Sequence, residues 1–121
     1  MGWQFNSTEP VFLQMANRLR NDILQGKYAP AAQFPATRQL AGEAGVNPNT
    51  AQKALTLLEE EGLLCSKGTV GRFVTEDREI LQQATETARR EAVRKWLAEA
   101  KALGISAAQL VDYIQKEENK A

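Results

Sequence analysis

The chain has 121 residues, enough for one domain with a single hydrophobic core and a small appendage. Its 15 basic and 15 acidic residues cancel, so the net charge neither supports nor opposes a nucleic-acid partner. With no histidine and one cysteine, Cys65, the sequence excludes a zinc site of about four Cys or His ligands. It also excludes a disulfide within the chain. We expect no bound metal or cofactor.

Two further patterns bear on the class of protein. No apolar run approaches the ~20 residues that span a bilayer, and the amino terminus lacks the charged and then apolar pattern of a signal peptide. These patterns predict a cytoplasmic protein without a membrane partner. Cys65 follows two leucines, which indicates a small buried hydrophobic residue rather than a reactive thiol.

A short arm precedes the first predicted helix. Trp3 and Phe5 alternate with polar residues, which is typical of an extended arm whose aromatic face lies on the domain. Pro10 suits the first turn of a helix, with Thr8 or Glu9 as its cap. Apolar residues then recur every three or four positions and predict one buried face. They are Val11, Phe12, Met15, Leu19, Ile23 and Leu24.

A connector and a second, short helix follow. Gly26 ends the first helix, and the stretch from Lys27 to Pro35 has two prolines and no periodicity, so we expect a loop or a short extended segment. A helix from about Thr37 to Ala44 comes next, and Gly45 ends it.

The third helix has an apolar inner face and a polar outer face. Asn47 is a good N-cap, and Pro48 suits the first helical position. The outer face presents Asn49, Gln52, Lys53 and Thr56. The amides fit an adenine edge, and the lysine fits a guanine edge or a phosphate. The alternative is that Asn47 is only a cap and the others are solvated. The predicted inner face comprises Ala51, Ala54, Leu55 and Leu58.

Two short strands, Leu63–Cys65 and Arg72–Thr75, predict a hairpin after the third helix. Helices followed by such a hairpin have the spacing of a winged helix-turn-helix. Lys67, Gly68 and Thr69 lie at the tip, where glycine permits close approach to a groove or phosphate. A simple tight turn is the alternative.

Arg38 lies in the first turn of the second helix, where a cation opposes the helix dipole. A DNA phosphate or a guanine edge would justify its position. The alternative is a surface ion pair with Glu43 or Asp22.

From about Asp77 the pattern changes to a long apolar stripe that ends at Gly104, and Ser106 with Gln109 predicts a capping box for a last helix. We therefore predict a mainly α fold with a small β hairpin: a winged helix-turn-helix domain over 1–75 and a two-helix dimerisation tail over 76–121. The alternative is that both helices fold back on the winged domain. The predicted dimer interface comprises Ile80, Leu81, Ala84, Ala88, Trp96 and Leu97.

Residues 10–75 resemble the GntR family of bacterial transcription regulators. The resemblance rests on FPATRQLA, VNPNTAQKAL, LEEEGLL and the glycine-containing GTVGRFV, taken together. It implies operator DNA binding by dimers. Carried over by position, it implies DNA contacts from Arg38, Asn47, Asn49, Thr50, Gln52, Lys53, Lys67, Gly68 and Thr69.

Three positions depart from the family pattern. Ala36 stands where serine is usual, so a capping and phosphate contact is lost or passes to Thr37. Ala31 replaces the usual glycine after Pro30, and Gln52 replaces an arginine found in many members. The last change should weaken phosphate contact or alter the base that is read.

The short tail resembles that of the YtrA-like subfamily, which implies dimerisation and often transporter operons as targets. We expect a homodimeric repressor of an inverted-repeat operator, and a small-molecule effector is left open. The alternative is a winged-helix protein-interaction module that does not bind DNA. An enzyme is not expected, because the sequence offers no catalytic constellation.

Overall fold

The computed structural model describes residues 2–120, and its architecture is mainly helical with one antiparallel hairpin, as predicted. A single 3₁₀ turn, Gly68–Val70, joins the two strands. No helix within residues 2–120 is long and apolar enough to cross a bilayer. The elements are α1 (Val11–Leu24), α2 (Thr37–Ala44), α3 (Pro48–Glu60), β1 (Leu64–Ser66), β2 (Arg72–Val74), α4 (Arg78–Ala102) and α5 (Ala107–Glu118).

The chain divides into two compact units, with the division between Gln83 and Ala84. The first unit contains α1 to α3, the hairpin and the first residues of α4. Ile80 belongs to this unit and lies beside Gly62, where an added Cβ would be 3.3 Å from the Ile80 Cδ1 atom. The functional boundary expected near Glu76 stays a prediction.

The core of the first unit forms where α1 and α2 pack on α3. The four residues predicted as the inner face of α3 are completely buried, as is Ala16 of α1, which the sequence pattern did not single out. Small side chains here allow the helices to approach closely. The largest fully buried side chains are Met15, Leu19, Leu40, Leu55, Leu58, Leu63 and Val74.

The amino-terminal arm lies on α1, as predicted. The rings of Trp3 and Phe5 stack with centroids 5.9 Å apart, and the Arg18 guanidinium lies 4.1 Å from the Trp3 ring centroid. The predicted cap of α1 is wrong, because Pro10 itself occupies the N-cap position and no side chain caps the helix. The Pro10 carbonyl instead accepts the first backbone hydrogen bonds, from Leu13 at 3.1 Å and from Gln14 at 3.3 Å.

The connector between α1 and α2 pairs with β2 in a short extended form, one of the two forms predicted. Gln33 forms an antiparallel bridge with Phe73. The Ala31 N–H donates to the Val74 carbonyl at 3.0 Å, and the Phe34 N–H donates to the Arg72 carbonyl at 2.8 Å. These bonds attach the connector to the hairpin and hold β2 between two neighbours.

Cys65 is exposed, which contradicts the prediction that it is buried. Its strand pairs Leu64 with Val74 and Cys65 with Phe73. Successive side chains of a strand point to opposite faces. Because Leu64 points into the core, Cys65 points outward, and two preceding leucines are no guide to the face that a third residue occupies.

Ala31 is the only non-glycine residue among residues 2–120 with a positive φ, at 69°. A left-handed conformation costs an L-residue roughly 1–2 kcal/mol, whereas glycine adopts it freely but loses about 0.5–1 kcal/mol of additional chain entropy on folding. The structure therefore explains why a glycine is usual at this turn.

We expect Ala31→Gly to raise the free energy of unfolding by about 0.5–1 kcal/mol, because relief of the left-handed strain exceeds the entropic cost of glycine. Urea or thermal unfolding measures the change. Ala29→Gly, at an exposed neighbouring position without positive φ, is the control and should be destabilising. Equal destabilisation by both variants would contradict the strained turn.

The two tail helices end and begin as predicted. Gly104 takes a φ of 78° after α4, and Ser106 and Gln109 form a reciprocal capping box at the start of α5, with bonds of 2.9 and 3.2 Å. None of the side chains of α5 is buried. A helix of 12 residues is marginal in water by itself, so α5 needs further apolar contacts to be stable.

Candidate nucleic-acid interface

The amino-terminal end of α3 presents a row of polar side chains to solvent. Asn49, Gln52 and Lys53 are exposed, and Thr50 is half-buried. The predicted N-cap is confirmed, because the Asn47 Oδ1 atom accepts from the Asn49 N–H at 2.7 Å. The Asn47 amide oxygen is therefore used in capping, and its NH₂ group is the part that can donate to a ligand.

Gln52 is held in place by hydrogen bonds at both ends of its amide. Its Oε1 atom accepts from the Thr37 hydroxyl at 3.2 Å, and its Nε2 atom donates to the Thr56 hydroxyl at 3.3 Å. Thr37 lies at the start of α2, so these bonds connect the two helices of the helix-turn-helix. The structure thus brings together two of the predicted site residues, Thr37 and Gln52.

Thr37 does not replace the missing cap of α2. The N-cap residue is Ala36, no side-chain hydrogen bond caps the helix, and the Thr37 hydroxyl is occupied by other partners. Backbone N–H groups at an uncapped helix start suit an anion such as phosphate.

Arg38 is exposed in the first turn of α2, and within residues 2–120 it forms no ion pair. The two partners considered for it have other contacts. Asp22 lies 3.7 Å from the Lys27 Nζ atom, and Glu43 accepts from Gln39 at 3.2 Å. The described structure therefore gives no internal reason for a cation at this position.

The hairpin tip is braced from outside the hairpin. The Gln33 Nε2 atom donates to the Val70 carbonyl at 3.0 Å, and a Cβ added to Gly71 would lie 3.1 Å from the same atom. Lys67 extends over the Phe73 ring, with its Nζ atom 4.8 Å from the centroid. Lys67, Gly68 and Thr69 are all exposed. The tip is therefore a supported, solvent-facing turn.

Four residues support this surface in a way that the sequence analysis did not predict. Gln33 braces the hairpin tip, while Thr56, Glu59 and Arg72 support Gln52 directly or through Thr37. Thr56 was predicted to face outward, and its contact with Gln52 was detectable in principle, since it lies one helical turn later. The contacts of Gln33 and Arg72 join residues far apart in the chain, and no local pattern indicates them.

A cavity of about 340 Å³ lies in the first unit beside α1 and α2. Burial, and then the negative charges of Asp22 and Glu43, raise the pKa of Tyr28, which keeps its phenol protonated. Two further charged contacts lie in the cavity wall. They are the Lys27–Asp22 ion pair and the stacking of the Arg18 guanidinium on the Trp3 ring. The lining residues are Trp3, Arg18, Asp22, Lys27, Tyr28, Leu40 and Glu43.

Residues 13–74 match the gntR family of bacterial regulatory proteins. This chain belongs to the GntR family. It is a DNA-binding transcription regulator, and the matched segment covers all three helices of the winged domain except the first two residues of α1, together with the hairpin.

Full-length relatives place this GntR protein in the YtrA-like group. It is 27% identical to YhcF, an HTH-type transcriptional regulator of Bacillus subtilis, over 93% of each chain. It is 26% identical to the HTH-type transcriptional repressor YtrA of Bacillus subtilis, over 91% of this chain and 85% of YtrA. Both relatives are regulators rather than enzymes.

Solved structures agree with the winged helix-turn-helix fold. A GntR family transcriptional regulator from Listeria monocytogenes superposes with a TM-score of 0.85 at 25% identity, covering 93% of this chain and 98% of that one. The AraR DNA-binding domain in complex with operator ORX1 superposes with a TM-score of 0.57 at 28% identity. That match covers 62% of this chain and 99% of the AraR domain.

The predicted dimer residues on α4 differ in exposure. Trp96 is 54% exposed, whereas Leu97 is half-buried. Val93, one turn before Trp96, is also 54% exposed, although it was not among the predicted interface residues. The remaining predicted interface residues, all half-buried, are Ile80, Leu81, Ala84 and Ala88.

Proposed function

We propose that this GntR protein is a homodimeric repressor that binds an inverted-repeat operator and acts in the bacterial cytoplasm. The observation that carries the operator-binding part is the polar end of α3 together with Arg38, which has no ion-pair partner within residues 2–120. Asn49, Gln52 and Lys53 point to solvent there. These residue types match base edges and phosphates of the major groove. The AraR domain is described in complex with an operator.

The proposed contacts are divided between positioning and reading. Arg38 and the hairpin tip would contact phosphates or a groove edge, and Asn49, Gln52 and Lys53 would meet base edges in the major groove. The Asn47 NH₂ group and the Thr50 hydroxyl would donate hydrogen bonds to the DNA sugar-phosphate backbone. The tip residues proposed for contact are Lys67, Gly68 and Thr69.

Exposed apolar side chains in the tail support the proposed homodimer. Val93 and Trp96 on α4 and Val111 on α5 are each 54% exposed, and α5 buries none of its side chains. Val93 and Trp96 lie one turn apart on the same face of α4, and contiguous exposed apolar surface marks interaction sites. A second copy would cover them, with Ile80, Leu81, Ala84, Ala88, Trp96 and Leu97 as the proposed interface.

Repression is the proposed sign of regulation because the relative YtrA is named a transcriptional repressor. In a dimer related by a two-fold axis, the two recognition helices meet the two halves of an inverted repeat. The half-sites would lie about one helical turn, or a multiple of it, apart. Occupancy of such a site would block access of the polymerase to the promoter.

The test is selection of binding sites from a random duplex pool, followed by fluorescence anisotropy titration of the enriched site over a range of salt concentrations. An inverted repeat bound with a steep negative salt dependence supports the proposal. Absence of enrichment, with weak binding that is insensitive to salt, would instead favour a winged helix that binds protein.

Lys53→Ala should weaken operator binding by about 1–3 kcal/mol if its ammonium contacts a base edge. Its Nζ atom lies 5.9 Å from the centroid of the Phe12 ring, a loose contact that leaves it able to reach a ligand. Anisotropy on the selected site measures the loss. Lys116→Ala, on an exposed lysine of α5, is the matched control. Equal operator affinities for the two variants would show that Lys53 does not contact the DNA.

A further inference from the structure

A chain of polar contacts connects the hairpin to Gln52. The Arg72 Nε atom donates to the Glu59 carboxylate at 2.5 Å, and the Arg72 Nη1 atom donates to the Thr37 hydroxyl at 3.1 Å. Thr37 then donates to the Gln52 Oε1 atom at 3.2 Å. Because Gln52 and Glu59 lie on α3 and Arg72 lies on β2, the contacts join the recognition helix, the start of α2 and the hairpin.

Arg72 has a structural setting rather than a DNA-facing one. Its side chain is 18% exposed, and that of Glu59 is 29% exposed. Two of its guanidinium nitrogens are already used, one on the carboxylate and one on the hydroxyl. The guanidinium only donates hydrogen bonds, so the Thr37 oxygen accepts from it and the Thr37 hydrogen is available for Gln52.

The hydrogen bond from Arg72 gives the Gln52 amide a preferred direction, because it occupies the Thr37 oxygen and leaves the Thr37 hydrogen for Gln52. The amide oxygen accepts that hydrogen, while the amide NH₂ group donates to the Thr56 hydroxyl. Turning the amide over would point its NH₂ group at an oxygen that already accepts from Arg72, and the Thr37 hydrogen would lose its acceptor on Gln52. Without Arg72, both hydroxyls could serve either end of the amide, and the two orientations would be closer in energy.

An amide with one fixed direction suits one base. Gln52 retains one N–H and one oxygen lone pair beyond its internal bonds. Side by side, these match the N7 acceptor and the N6 donor of adenine, whereas a guanine edge offers two acceptors. An amide free to turn over would lose this discrimination while still making contact.

We propose that Arg72, oriented by Glu59, is a positioning residue that acts through Thr37 to make Gln52 specific for adenine at one position of each operator half-site. This inference rests on the proposed operator binding and adds to it the base that is read and the residues that enforce the reading. At the position where many family members carry an arginine, this chain has an amide whose orientation is held by hydrogen bonds.

The experiment compares Arg72→Lys with the unmodified protein on the selected operator and on a set of operators carrying each other base pair at each position. Lysine keeps the charge, but its single nitrogen cannot reproduce the two-point contact with Glu59 and Thr37. We expect discrimination at one A·T pair per half-site to fall by about tenfold, with affinity for the substituted operators nearly unchanged.

Arg20→Lys is the matched control. Arg20 forms a two-point pair with Glu61 at 2.7 Å in the same unit and makes no described contact with Gln52. Both lysine variants can lower stability, but only Arg72→Lys should change base preference. A uniform loss of affinity on all operators, with discrimination preserved, would give Arg72 a purely structural role and overturn the inference.

Two further variants close the test. Gln52→Ala should abolish the same discrimination, and adding Arg72→Lys to it should have no further effect on base preference. An additional loss would show that Arg72 acts elsewhere.

If Arg72→Lys does not fold, Thr37→Val removes the connecting hydroxyl with little change of shape, and the same tenfold loss is expected. If the unmodified protein selects no operator, the proposed function fails; normal selection without these changes refutes this inference alone.

Discussion

Replacement of Trp96 by aspartate is expected to convert the protein to monomers and to lower affinity for a two-half-site operator by roughly 10²–10⁴-fold. Trp96 is 54% exposed on α4 and is not one of the buried core residues, so its replacement removes less packing within one chain than a core substitution would. In a dimer interface the same change removes a large apolar contact and buries a carboxylate, whose loss of hydration is unfavourable. The loss of affinity arises because two linked recognition helices become independent.

Light scattering measures the mass, and anisotropy measures binding to full and half operators. Ala98→Asp is the matched control, since it adds the same charge at an exposed position two residues along α4. It should stay dimeric. Leu97→Asp should also yield monomers, and Trp96→Asp and Leu97→Asp variants that both remain dimers would place the interface elsewhere.

Arg38→Ala should weaken operator binding by about 1–3 kcal/mol, which is roughly a 5- to 150-fold change in affinity. The unbound protein gains little from this side chain, because it is exposed and has no ion-pair partner within residues 2–120. It also opposes the dipole of α2, an unfavourable contribution of about 0.3–1 kcal/mol. We therefore expect its removal to leave thermal stability unchanged or slightly higher while binding falls.

The pattern of the loss identifies the contact. A phosphate contact would give a uniform loss on all operators and a decrease of about one in the salt slope, whereas a guanine contact would relax specificity at one base pair. Arg89→Ala, which removes an exposed arginine from α4, controls for the change in net charge. Binding by Arg38→Ala that equals binding by Arg89→Ala would exclude Arg38 from the DNA face.

The elements with strong local signals were predictable from the sequence. The bounds of α2, Thr37–Ala44, were predicted without error, and Asn47 and Ser106 cap the helices assigned to them. Each signal depends on residues within one or two turns, such as a glycine after the last turn or a polar side chain before the first. The backbone geometry of a helix end makes these signals reliable.

The predictions that failed needed information from beyond the local segment. Pro10 takes the cap position for which Thr8 or Glu9 was expected, and that choice depends on where the arm crosses α1. The Asn6 N–H and the Gln14 Oε1 atom, 3.0 Å apart, help to define that path. The outward direction of Cys65 depends on the register of β1 with β2.

The candidate site likewise combines local features with contacts between residues that are distant in the chain. The polar residues of α3 and the exposed Arg38 are local features, so the sequence by itself determined the family, the helix that presents these residues and the family position at which Gln52 replaces an arginine. The support of Gln52 is not local: Arg72 lies 35 residues after Thr37, and Gln33 lies 37 residues before Val70. Only the tertiary structure decided those partners, because a hydrogen bond requires atoms within about 3 Å in a suitable direction, and packing of the connector and hairpin on the helices sets that geometry.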